Sequence, residues 1–507
     1  MISKISRRSL LMAAAGAVGA TALPPVFAVQ GSVGKAADEL LDYDALGLAH
    51  LIRSGQVSQR EVLAASIARI EALDGKLNAM TTRTFARALE RVDQISPDTV
   101  FAGVPTVFKD LIDVGGVRRT SGSLMHLTNV PKTSVEYVKA AERAGLNMLG
   151  MTNTPEFAST ALTDNLAFGA TRNPWNLDHS AGGSSGGSGA AVAAGYVPLA
   201  HGTDGGGSNR IPAACCGVLG MKASRYRQVS GEPDGGHLFL RTHQSLSRTV
   251  RDSAALLAVT ENPNNQAGYP PVGLVDGPGK RRLRIAFTAE NCFGRQAAAP
   301  VREALEKTVQ LCTSLGHEVE EVPYPVDGSA MFQAVEGIML ANMPRLLAMV
   351  ESLTGKRAED ARILTPAMVD IGRYSQTLPA DAHKRGISWF ERASAEFAGF
   401  FTRYDVWLTP TLPMEAPEVG YIGPDTPWNL AHERNRELMS YTALINGIGA
   451  PAMSVPLFHS SATGLPIGSH FVAAPGADRS LYELAFELES AKPWGDRWAP
   501  HSAKFKD

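Results

Sequence analysis

The sequence predicts an α/β fold in which helices pack on a sheet with much parallel pairing. Two observations carry this. Short apolar, β-rich runs alternate with amphipathic helical segments along most of the chain, the pattern of βα units. Glycines repeatedly stand where a helical periodicity stops, as helix ends require. The 507 residues, 44% hydrophobic and 19% charged, suffice for a large core.

Taken in order, Asp44 to Ser54 reads as a short amphipathic helix ending at Gly55. Ser58-Gln59-Arg60-Glu61 forms a capping box, followed by Val62, Leu63, Ser66, Ile67, Ile70 and Leu73 at helical spacing, with Gly75 expected to close the helix. Phe101 to Asp110, FAGVPTVFKD, is a strand ending in Lys109, and 120–123 is a small-residue loop able to line a cavity. Val135 to Ala144 is a helix stopped by Gly145, then Leu146 to Leu149 a strand and 150–156 a loop. Residues 224–280 read as turn-rich, and 274–281 as a junction between two lobes of one domain spanning 29–507. Beyond it come a strand at Leu283 to Phe287, a helix opened by Pro300 with Cys312 on its buried face, and a strand at His317 to Val322. The 330–405 stretch is mostly helical. Val406 to Leu408, Pro451 to Pro456 and Ile467 to Val472 are strands, and Leu481 to Leu488 is the last helix.

Residues 1–28 stand apart from this pattern. A basic start with Arg7 and Arg8, an apolar run and small residues ending at Ala28 have the layout of a removable export signal, and SRRSLL resembles the twin-arginine type. The run from Leu10 to Leu23 is shorter than the ~20 apolar residues of a membrane span, so a folded periplasmic or secreted product without a stable membrane span is expected. Without these residues 45 basic side chains face 50 acidic ones, which leaves no basic footprint for nucleic acid. The four cysteines are too few and too badly placed for a disulfide framework. No CxxC or HExxH occurs, so a structural metal or a zinc hydrolase has no support; no organic cofactor is expected either.

Chemistry concentrates in residues 182–210, GGSSGGSGAAVAAGYVPLAHGTDGGGSNR, where two glycine–serine knots flank a helix and a strand. Clustered glycines let backbone N–H groups converge on one spot. Gly205, Gly206, Gly207 and Ser208 can curl up to four N–H groups around an oxyanion, which suits acyl transfer with Ser208 as nucleophile. No histidine lies in either knot to serve as its base. Gly183-Ser-Ser-Gly-Gly187 also fits the G-x-S-x-G elbow of α/β-hydrolases with Ser185 as nucleophile, although no Asp and His partners are evident downstream. A phosphate-binding loop needs a following Gly-Lys-Ser/Thr, which is absent.

FAGVPTVFKD around Lys109, GGSSGGSGAA around Ser184 and TDGGGSNRIPA around Ser208, spaced by 75 and 24 residues, resemble the amidase signature family. GATRNPWNL, YDVWLTPTLP, NGIGAPAMSVPL and GLPIGSHFVAAPG extend the likeness from about Tyr43 to Trp494, and the first of these resembles the branch with 6-aminohexanoate-cyclic-dimer hydrolases. The resemblance implies a large twisted mixed β-sheet covered by α-helices on both faces. It implies an amidase with a Ser–cis-Ser–Lys triad: Ser208 attacks, Ser184 bridges after a cis Gly183–Ser184 peptide, and Lys109 is the base. For Lys109 to accept a proton, burial must depress its pKa. Asp204 and Arg210 are expected to brace the second knot. The family also contains amidotransferase subunits that act on charged tRNA, a reading the expected export signal argues against, and a silent amide-binding relative is the non-enzyme reading. A homodimer is the family-level expectation. Asn209, Gly205, Met151 and the proline-free Met221-Lys-Ala-Ser depart from the family pattern without touching the triad. Met125, Ala158 and the helical 330–450 region are candidate pocket residues, whose apolar character points to an uncharged aliphatic or aryl amide, primary or secondary, or an ester.

Overall fold

In a computed structural model the described residues are 39–230 and 239–505; residues 1–28, read above as an export signal, lie outside them. A three-stranded sheet orders β1 (Met80–Arg83), β3 (Asn147–Thr152) and β2 (Pro105–Lys109) as β1-β3-β2, and β4 (Arg172–Asn173) and β5 (Asn176–Ser180) form a small antiparallel pair. The main sheet holds β6 (Leu199–Asp204), β7 (Leu219–Lys222), β8 (Thr242–Ser247), β9 (Arg284–Phe287), β10 (Glu318–Glu321), β11 (Val406–Pro410), β12 (Ala452–His459) and β13 (Pro466–Ala473). Its eight strands run β10-β9-β11-β13-β12-β7-β8-β6.

Within the main sheet only β10, β9 and β11 pair in parallel; every other neighbouring pair is antiparallel. The expectation of much parallel sheet is corrected here. A strand buried on both faces reads as an unbroken apolar run, so its sequence does not reveal the direction of its neighbours. Burial on both faces is visible residue by residue. Trp407, Ala452 and Val472 join one buried cluster, while their neighbours Leu408, Met453 and Phe471 join the cluster on the opposite face. That alternation is the pleat of a sheet sandwiched between helical layers. Strands from both sides of 274–281 enter this one sheet.

Several boundaries differ from the sequence reading. The capping box at Ser58 and Glu61 is formed, but the helix runs over Gln59–Leu77 and ends at Asn78 in the left-handed conformation, not at Gly75. The Asn78 amide then donates to the carbonyls of Phe168 (2.7 Å) and Ala170 (3.0 Å), which fixes that end. The 224–280 stretch contains β8 and an eleven-residue helix, Val250–Thr260. β3 runs on to Thr152, taking Met151 into the buried sheet.

Candidate active site

Lys109 ends β2 and is completely buried. Its backbone N–H donates to His201 Nδ1 (3.3 Å), and Thr106 Oγ1 donates to Leu199 O (3.0 Å), so β2 is laid against β6. The side chain then reaches Ser184 Oγ at 2.7 Å and Thr203 Oγ1 at 2.9 Å. Burial is the main force pushing the Lys109 amine well below its ordinary value; the Arg241 charge adds to this and Asp204 opposes it. Thr203 and Arg241 were not legible as site residues. Thr203 is an ordinary strand residue in sequence, and Arg241 immediately precedes β8, a strand the sequence reading missed.

The Gly183–Ser184 peptide is cis, and Ser184 is fully buried. Gly183 cannot carry a side chain, since a Cβ would lie 2.8 Å from the Leu162 carbonyl carbon. The helix Gly186–Ala193 follows the first knot and β6 leads into the second, so helix and strand aim both knots at one place. Ser185 N–H donates to Ser208 O (3.1 Å), linking the knots directly. Ser208 is partly exposed, unlike Ser184 and Ser185.

Asp204 organises the second knot. Its carboxylate accepts from Gly207 N (2.8 Å) and Asn209 N (3.2 Å), from Arg210 Nε and Nη2 (both 2.9 Å), and from Asn446 Nδ2 (2.9 Å). Burial alone would raise the pKa of this carboxyl, but Arg210, with the Asn446 hydrogen bond, holds it well below the usual carboxylate range. Arg210 spans onward to His470 Nε2 (2.9 Å) and Asn446 Oδ1 (2.6 Å), so the brace is anchored to the carboxyl-terminal part of the chain.

One expectation for the oxyanion loop is corrected. The Gly207 N–H is committed to Asp204 and is not free for a ligand. The N–H groups of Gly205, Gly206 and Ser208 take no acceptor within the described residues. Gly207 is still required as glycine: φ is +130°, and a Cβ would meet Thr442 Oγ1 at 2.4 Å. Thr442 Oγ1 donates to Gly206 O (2.6 Å) and fixes that peptide.

The departure at Asn209 is tied to Ser185. Ser185 Oγ is buried and shared among Thr203 O (3.2 Å), Thr203 N (3.3 Å) and Asn209 Oδ1 (3.2 Å). Asn209 Nδ2 donates to Met221 O (3.0 Å), so the polar side chain is satisfied inside. Lys222, buried, donates to Ala223 O (2.9 Å) and Ala450 O (2.6 Å), and burial followed by the Arg210 charge brings it down to about 7.

A cavity of about 340 Å³ approaches the second knot at Met439, although none of Lys109, Ser184 and residues 205–208 lines it. Ala158 lines it, and so does Met439, whose Sδ lies 3.0 Å from where a Gly206 Cβ would stand. Met125 is not in the lining; it packs with Phe157 and Trp428 against the apolar cluster that includes Met368 and Leu347. The 120–123 loop does not line it either. It stands behind the wall, where Ser123 Oγ donates to Glu156 Oε1 (2.6 Å) and Gly122 is pressed against Thr154 O. Among the described residues no cluster of three or more His, Cys, Asp or Glu is placed to hold a metal ion, and no helix is long and apolar enough to cross a membrane.

Residues 61–482 match the family model described as amidase. The chain is 38% identical over 479 residues to the putative amidase AmiC of Mycobacterium tuberculosis, covering 92% of this chain and 98% of that protein. It is 33% identical to the 6-aminohexanoate-cyclic-dimer hydrolase of Paenarthrobacter ureafaciens, over 89% of this chain and 95% of that one. A solved structure of 6-aminohexanoate cyclic dimer hydrolase superposes with a TM-score of 0.83 at 30% identity, covering 91% of this chain and 99% of the other.

Proposed function

Because this chain belongs to the amidase family and is an amide hydrolase, we propose that it forms an acyl-enzyme on Ser208, with Ser184 and Lys109 relaying the proton. The observation that carries this reading is the buried Lys109 amine 2.7 Å from Ser184 Oγ. A neutral lysine has two N–H donors and one lone pair. Donation to Thr203 Oγ1 leaves the lone pair for the Ser184 hydroxyl, so Ser184 in turn accepts from Ser208 as that hydroxyl attacks the carbonyl. Charge growing on the carbonyl oxygen meets the N–H groups of Gly205, Gly206 and Ser208. The relayed proton then passes to the departing nitrogen, and water releases the acid by the reverse path.

The cavity supports a substrate with an apolar body, linear or cyclic. The similar hydrolase named for a cyclic dimer favours a non-peptide carboxamide. Ser185 as the nucleophile of an α/β-hydrolase elbow has no support in the geometry, because its hydroxyl is buried and held by Thr203 and Asn209. Export to the periplasm or outside the cell is part of the proposal and rests on residues 1–28 alone; fractionation with amino-terminal sequencing of the mature chain tests it.

Kinetics on a chromogenic anilide separate these readings. Ser208→Ala and Lys109→Ala are each expected to lower kcat/KM by about 10³-fold or more, since removing a nucleophile or its base has effects of that order. Ser185→Ala should lose far less. Loss confined to Ser185→Ala would overturn the assignment.

A further inference from the structure

The helix Trp428–Leu438 presents one face to the cavity, through Trp428, Ala431, His432, Asn435, Arg436 and, one residue past its end, Met439. That spacing is a single helical stripe. Met439 abuts Gly206 in the oxyanion loop. At 1.5 Å per residue, Arg436 lies about 4.5 Å and His432 about 10 Å further along the axis from Met439. The stripe therefore measures distance from the place where a scissile carbonyl would sit.

Arg436 is the unusual member. Its guanidinium carbon lies 5.0 Å from the Phe332 ring centre and 5.4 Å from that of Phe293, which support its plane. Its nearest counter-charge is Glu336 Oε1, 4.0 Å from Nε. Nε is buried without a hydrogen-bond partner, and no described residue accepts from its terminal nitrogens. The side chain is 28% exposed, so its terminal nitrogens reach solvent while Nε does not; a guanidinium carries five N–H donors in a rigid fork, and a ligand that displaces solvent there must itself accept from them. Each Glu336 oxygen already has a partner, Oε1 with His432 Nε2 (2.8 Å) and Oε2 with Tyr374 Oη (2.8 Å).

We propose that Arg436 is a specificity-determining residue that binds a second, uncharged carbonyl oxygen of the substrate, about one helical turn from the scissile amide. This rests on the reading that the scissile carbonyl sits at the Ser208 loop. An uncharged acceptor is preferred over a carboxylate because Glu336 already balances Arg436, and the lining adds the carboxyl groups of Glu156 and Asp164. The rest of the wall nearby, including Val335, Met339, Met368 and Ile371, is apolar and fits the chain between the two carbonyls.

Binding to catalytically blocked protein tests this apart from turnover. Calorimetry on Ser208→Ala protein would compare three anilides of one six-carbon acyl chain, ended by a primary carboxamide, a methyl group or a carboxylate. The carboxamide should bind about tenfold or more tighter than the methyl analogue, since a site built to hydrogen-bond a group penalises its absence. The carboxylate should bind more weakly than the carboxamide. In Ser208→Ala/Arg436→Met protein the carboxamide advantage should vanish, and Arg436→Gln in the same background, which keeps a donor and guards against misfolding, should retain part of it. Equal affinities, an advantage that survives Arg436→Met, a preference for the carboxylate, or no measurable binding of any of the three would overturn the proposal. Activity remaining in Ser208→Ala would instead overturn the acyl-enzyme reading.

Discussion

At the residue scale, the proposed chemistry depends on how readily Lys109 loses its proton. Burial and Arg241 both favour the neutral amine, so kcat/KM should rise with pH through the depressed pKa and reach a plateau before the ordinary lysine value of 10.5. Replacing Arg241 by Gln removes a like charge, raises the Lys109 pKa and moves that limb toward alkaline pH; a pH–rate profile of both proteins checks the direction, and an unmoved limb would count against it. The same shift sets a stability sign. The unfolded lysine binds its proton more tightly, so the Lys109 contribution to stability grows as pH rises from the depressed pKa toward 10.5. Lys109, Ser184 and Ser208 were legible from three spaced motifs. Thr203, Asn446 and Arg436 were not, because their roles arise only when distant segments meet, and a threonine or arginine alone carries no positional signal.

Among the elements, those with a clear period were easiest to anticipate. The Ala45–Arg53 helix starts at Asp44, whose carboxylate accepts from Gly47 N (2.9 Å) and from Thr249 Oγ1 (2.8 Å), and pairs with Arg251. Asp44→Ala should therefore cost at least the ~1 kcal/mol typical of a lost N-cap, measurable by denaturant unfolding. A change near zero would mean that water replaces the cap. β8 escaped notice for a physical reason. THQSLS has no apolar alternation, yet it is buried with part of its polar groups hydrogen-bonded inside: Gln244 donates to Tyr482 Oη (2.9 Å) and Ser245 to Ser253 Oγ (2.9 Å), while Thr242 Oγ1 and Gln244 Oε1 find no partner among the described residues. Propensity and periodicity report hydrophobic burial and are blind to strands buried through internal hydrogen bonds.

On the scale of the whole molecule, the α/β class followed from the alternation of elements and the mixed sheet with two-sided helical cover from the family resemblance, whereas the strands' own residues did not reveal their direction, since turns and crossovers decide it. The carboxyl-terminal helix Asp478–Ala491 closes against the Val250–Thr260 helix, where Glu489 Oε1 accepts from Val250 N (3.1 Å). Burial, with Asp44 nearby, raises Glu489 to about 7. An acid whose folded pKa is raised loses stability as pH climbs from about 4.5 to about 7 and stays penalised above. Glu489→Gln keeps an acceptor for Val250 and should raise Tm at pH 8 while leaving it nearly unchanged at pH 4; thermal melts at both values decide.

The four sulfhydryls have a use of their own. Cys215, Cys216, Cys292 and Cys312 are unpaired and buried, and burial raises the first, third and fourth to about 12. A thiol that is both shielded and protonated does not react with alkylating reagents. Labelling at each position then records only the moments when the surrounding structure opens. The native chain thus carries its own reporters of breathing, with no dye or engineered probe, and mass spectrometry can time them one by one.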